Sequence, residues 1–145
     1  MLKTLHCTRC QVALSRPVAL LSSKAPGVMQ PPAVAKQPLL PAGQAFKSWR
    51  WLDWFYLEEG HVLAFTPQVW MNLDDLLETV FQTKKIERLG GCCSVSGIDG
   101  PTHICRCGSE VGTEQSDCFT PLVFIAQHGT TELRDAPHNE TLDIT

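Results

Sequence analysis

Seven cysteines fall into two groups about a hundred residues apart, and this constrains the fold more than any other feature. Leu5-His-Cys-Thr-Arg-Cys10 holds two thiols in a Cys-x-x-Cys spacing, and the other five lie between Gly91 and Cys118. A tight turn between two cysteines so spaced aims both sulfurs to one side, where they can share a single ion. A tetrahedral zinc needs four such ligands, so the second half of the site must come from the distal group. Cys105 and Cys107, followed by Gly108, are the natural completion, because the glycine permits the positive φ that a ligand turn uses. Their Cys-x-Cys spacing is one residue tighter than that of Cys7 and Cys10. In an extended strand His103, Cys105 and Cys107 share one face, so His103, Cys92, Cys93 or Cys118 could replace one of the proposed ligands. The expectation is a structural zinc held by Cys7, Cys10, Cys105 and Cys107, with the sulfurs tying the two ends of the chain together.

The composition suits one globular domain of 145 residues, 43% hydrophobic and 19% charged. A formal charge of −3 counts against a general nucleic-acid binder, which normally presents a basic face. No run of apolar residues is long enough for a membrane helix, and Cys7, Arg9, Cys10, Gln11 and Arg16 interrupt any signal-peptide core. The chain is therefore placed in the cytoplasm, where thiols stay reduced. An odd cysteine count also fits disulfides poorly, and a periplasmic disulfide protein is the alternative.

Along the chain, residues 5–15 read as a strand, a cysteine turn and a second strand, and Pro17–Ser23 continues the β pattern. Pro26, Pro31, Pro32, Pro38 and Pro41 mark residues 24–45 as a loop, read as a tether between β-units or as a partner-facing segment. Trp49, Trp51 and Asp53 alternate like a strand, with His61–Phe65 as its partner across a Glu58–Gly60 turn. The rings of this segment are expected in the core, or alternatively along an aromatic groove in which Trp49, Trp51 and Trp54 contact a partner.

Residues Asn72–Lys85 carry the best helical pattern. Asn72 can cap, Asp74 and Asp75 suit the amino-terminal pole, and Leu73, Leu76, Leu77, Val80 and Phe81 form one apolar stripe. Thr102–Cys107, Glu110–Glu114 and Pro121–Gln127 read as strands. The expected architecture is α+β: a mainly antiparallel sheet clamped by zinc, with one covering helix. A single domain spans residues 1–128, and a polar tail follows over 129–145.

The segments Leu5–Ser15 and His103–Thr113 resemble the two knuckles of the zinc-ribbon-like β-tent group, which includes Yippee-like proteins and methionine sulfoxide reductase B. That resemblance implies two cysteine pairs from distant parts of a sheet clamping one zinc. The reductase group's catalytic cysteine motif has no counterpart in this sequence, so no activity is implied. The run from Gly91 to Phe119 looks like small bacterial proteins without an established activity, and immunity proteins are an analogy of type.

The functional expectation is a non-enzymatic, zinc-stabilised protein-binding module of immunity or regulatory type. The competing class is a zinc- or thiol-dependent enzyme that uses Cys118, or an open metal position with Glu110 or Glu114 as acid or base. No His-Glu-x-x-His, phosphate-binding loop or nucleophile elbow is present.

Overall fold

The computed structural model describes residues 2–52, 61–91 and 94–136. Among the described residues nine strands form one sheet: β1 (Leu2–Cys7), β2 (Val18–Ser22), β3 (Gln44–Ser48), β4 (Gln68–Met71), β5 (Val80–Gln82), β6 (His103–Cys105), β7 (Glu110–Gln115), β8 (Val123–Ala126) and β9 (Thr131–Asp135). Their spatial order is β5-β6-β7-β8-β4-β3-β2-β1-β9. The named pairs are antiparallel except β2 with β3, which the long Pro-rich connection allows to run parallel. The sheet curls into a half-barrel. β9 comes from the segment read as a polar tail, and it pairs with β1 from Lys3↔Asp135 to Cys7↔Thr131.

The α+β expectation is overturned, because the helix over Asn72–Lys85 does not form. The only helical elements among the described residues are two short 3-10 turns, Leu73–Asp75 and Ile86–Leu89. Asn72 does cap, its Oδ1 accepting from the Asp74 backbone N–H at 2.8 Å, but its side-chain Nδ2 donates to Leu40 O, also at 2.8 Å. The buried Asp75 carboxylate accepts from the Gly43 amide (2.8 Å) and from Arg16 (3.0 Å). Leu77 N–H donates to Leu14 O and Arg16 N–H to Asp75 O, so backbone groups that a helix would pair internally bond residues 14–16 instead. The β-branched Thr79, Val80 and Thr83 also lower helix propensity. Leu73, Leu76 and Val80 still reach the core, whereas Phe81 stays exposed.

The central strands bury both faces, and alternation separates two cores. Ala45, Met71, Phe124 and Ala126 face one side with Leu5, Leu14, Val18, Val111, Cys7 and Cys105. Phe46, Trp70, Val123 and Ile125 face the other, with Leu39, Leu40, Leu52 and Leu63. The rings of Phe46 and Trp70 stack at 5.4 Å. The cover on this second face is the Pro-rich segment, where a helix had been expected. Lys36 N–H donates to Thr120 O, Leu122 N–H to Gln37 O and Leu39 N–H to Leu122 O, an interrupted pairing that tolerates Pro38 without a donor.

The aromatic segment is not the expected strand pair. Trp49–Leu52 is irregular and His61–Phe65 is a turn without strand structure. The Glu58–Gly60 turn, Asp53 and Trp54 lie outside the described residues. Among those described, the buried aromatic core is Phe46, Trp70 and Phe124. No helix of the described residues is long and apolar enough to cross a membrane.

Candidate metal centre

The curl of the sheet brings the end of β1 to the end of β6, although these strands lie near opposite edges. Residues 13–16, just after the first cysteine pair, bond to residues 75–79, and Thr79 O in turn accepts from the Arg106 amide at 3.0 Å. The Thr79 hydroxyl donates to Ala13 O at 2.7 Å. Thr79 thus links Ala13, just after the first cysteine turn, to Arg106 within the second.

Each turn is shaped by its own backbone. In the first, Gln11 N–H donates to Cys7 O (2.9 Å) and Cys7 N–H to Val12 O (3.0 Å), with Gln11 at φ 68. In the second, Gly108 N–H donates to Cys105 O (2.7 Å) and Cys105 N–H to Ser109 O (2.8 Å). Gly108 has φ 93, a conformation open to glycine and costly for other residues. This glycine turn lets the shorter Cys-x-Cys spacing present both sulfurs.

The Sγ atoms of Cys7, Cys10, Cys105 and Cys107 all lie within 4.8 Å of one another. Cys7 and Cys107 are 3.7 Å apart, and Cys10 and Cys105 3.4 Å. A tetrahedral ion with bonds of about 2.3 Å to sulfur spaces its thiolates about 3.8 Å apart. The four thiols are therefore close enough to hold a metal ion. Cys7 and Cys105 are fully buried in the inner core, and Cys10 is exposed. The Val12 amide, aimed at the Cys10 sulfur, is the main cause that lowers this thiol to about 7, and burial pushes Cys105 up to about 12. Divalent metal would displace the protons these thiols retain.

The other sequence candidates fall elsewhere. His103 is buried against Phe124, with Nδ1 2.9 Å from Thr102 Oγ1 and Nε2 3.6 Å from a Glu114 oxygen, outside the sulfur cluster. Burial lowers its pKa, and Glu114 opposes the shift. Cys92 and Cys93 lie outside the described residues. Cys118 is disulfide-bonded, so the expectation that every cysteine stays reduced does not hold, and no free thiol is offered there for nucleophilic chemistry. Glu110 is ion-paired with Arg88 and, at 3.6 Å, with Lys85.

Of the tryptophans proposed to meet a partner, Trp49 and Trp51 line an open cavity of about 400 Å³ with Arg50 and Thr66, and Trp54 lies outside the described residues. Two residues that the sequence did not single out hold this segment. Buried Ser48 donates its hydroxyl to Arg50 O (2.7 Å) and accepts from the Arg50 amide (3.1 Å). Buried Gln68 accepts from the Leu52 amide at 3.0 Å. A serine one residue before an exposed loop is a weak sign of such a turn. Nothing local marks Gln68.

No protein-family model matches the chain, and neither a curated protein nor a solved structure shows significant similarity to it.

Proposed function

We propose that this protein is a zinc-stabilised, non-enzymatic binding module, of regulatory or immunity type, that engages a protein partner through Trp49 and Trp51. The observation that carries the metal half is the convergence of four sulfurs from the two ends of the chain within 4.8 Å. An all-thiolate tetrahedral set suits zinc or an iron–sulfur cluster, and the short sulfur–sulfur distances favour a single ion. Four protein ligands leave no open position for a catalytic water. The two-knuckle resemblance to the β-tent group is in keeping with this reading. The binding half rests on half-buried indoles beside an open cavity, on a segment pinned at both ends.

Elemental analysis of the purified protein tests the metal, with one zinc per chain expected and loss of that zinc in Cys7→Ser. Iron in place of zinc, or no bound metal, would overturn it. Trp49→Ala and Trp51→Ala test the surface. Each should weaken capture of the native partner while leaving the zinc content and the unfolding midpoint unchanged.

A further inference from the structure

Two lysines lie against the ring of Trp49. The Lys24 ammonium lies 4.1 Å from the centroid of its ring, and the Lys47 ammonium lies 5.3 Å from it. Backbone pairing fixes both positions. Ser22 on β2 faces Lys47 on β3, Ser23 N–H donates to Lys47 O at 3.0 Å, and the Lys24 amide reaches the Ser22 hydroxyl at 3.2 Å. Arg50 follows at once and is exposed, its backbone held by Ser48. Leu52, beyond Trp51, is held by Gln68. The indoles and the three cations are thus mounted on a sheet end and on a short anchored loop.

Among the described residues these cations have no carboxylate partner: the ion pairs use Lys3, Arg16, Lys85, Arg88, His103 and Arg134, and none involves Lys24, Lys47 or Arg50. In a chain of net charge −3, two lysines gathered against one indole, with exposed Arg50 lining the adjoining cavity, are a local reversal of sign. Stacking on the ring offsets part of the mutual repulsion of the lysines. A bound anion would relieve the rest.

Resting on the reading of Trp49 and Trp51 as a contact surface, we infer that the partner presents an acidic segment there: Asp or Glu side chains paired with Lys24, Lys47 and Arg50, flanking an apolar side chain seated between Trp49 and Trp51. The cavity of about 400 Å³ lined by Trp49, Arg50, Trp51 and Thr66 suits one or two side chains. A nucleic-acid strand would call on a longer basic track, because its affinity comes from many phosphate contacts. Three cations on an acidic chain match a short run of carboxylates better, and complementary charge of this kind sets specificity and encounter rate.

The probe is a synthetic peptide, acetyl-Asp-Glu-Leu-Glu-Glu-amide, set against its uncharged counterpart acetyl-Asn-Gln-Leu-Gln-Gln-amide and a short oligothymidylate. Binding is followed at low salt by amide and indole NMR shifts of the intact protein. The acidic peptide should move the Lys24, Lys47 and Trp49–Trp51 signals. It should bind roughly tenfold or more tightly than the uncharged peptide, and weaken by a similar factor in Lys24→Glu or Lys47→Glu. Zinc content and unfolding midpoint should be unchanged in both variants, whose substituted side chains reach solvent. Equal binding of the two peptides at Trp49 and Trp51 would overturn the acidic class while leaving the contact surface standing. Peptide shifts elsewhere, insensitive to Trp49→Ala, would overturn the surface itself. Tighter binding of oligothymidylate, or no binding of the acidic peptide, would also overturn the inference.

Discussion

Gln68 is fully buried in β4, and both ends of its amide are used. Its oxygen accepts from the Leu52 amide (3.0 Å) and the Trp70 indole (2.9 Å), and its nitrogen donates to Leu63 O (2.6 Å). One side chain therefore holds the loop that carries Trp49 and Trp51, the turn at His61–Phe65 and the largest buried ring. Gln68→Met keeps much of the volume but leaves two donors and an acceptor without partners. Each such buried group costs about 1–3 kcal/mol, so denaturant unfolding should show a loss of about 3 kcal/mol or more. A loss below about 1 kcal/mol would mean that water or a rearranged backbone replaces these bonds. The reason Gln68 could not be read from the sequence is physical: its partners lie 5 and 16 residues away, except for the neighbouring Trp70. The cysteine ligand candidates were legible for the opposite reason. Cys-x-x-Cys and Cys-x-Cys-Gly are local turn chemistry, which fixes where each sulfur points before any long-range contact forms.

Asn72–Lys85 and the Pro-rich segment exchanged the parts the sequence suggested for them. A stripe at helical spacing measures which residues seek a core, and Leu73, Leu76 and Val80 do find it. It does not measure where the backbone of the segment finds its hydrogen bonds, and here those come from residues 14–16. The prolines report only that residues 26–41 cannot be helix or central strand, and residues 44–45, read as the end of the loop, open β3 instead. They say nothing of Leu39 and Leu40, which carry the cover over Phe46 and Trp70. The strands around β6, β7 and β8 were readable because alternation and glycine turns act over a few residues. If the segment is a cover, its buried and exposed apolar residues should behave differently. Leu39→Ala and Leu40→Ala should each destabilise by about 2–4 kcal/mol through lost burial and the cavity left behind. Val34→Ala, at an exposed position of the same segment, should stay within about 0.5 kcal/mol. Equal, small effects at all three in thermal or denaturant unfolding would return the segment to the role of a tether.

Among the described residues β5 and β9 are the outermost strands of the sheet, and backbone bonds between segments far apart in its order hold the curl. The sulfur cluster spans the same distance, joining β1 beside the β9 edge to the β6–β7 turn beside β5. A single ion shared by these sulfurs would make the two ends thermodynamically dependent on each other, and that dependence can be measured. Cys7→Ser and Cys105→Ser each remove one thiolate, and either should release the ion and forfeit the same metal-linked stability. The double variant then has no ion left to lose. Its destabilisation should fall short of the sum of the singles by about 2–3 kcal/mol, the upper part of the range for residues in one network. A strong chelator should lower the unfolding midpoint of the wild type toward that of Cys7→Ser, and should leave the variant where it is. Additive losses with a midpoint insensitive to chelator would mean that Cys7 and Cys105 act as two small buried hydrophobes, and that the half-barrel closes through the backbone bonds of residues 13–16 and 75–79 alone.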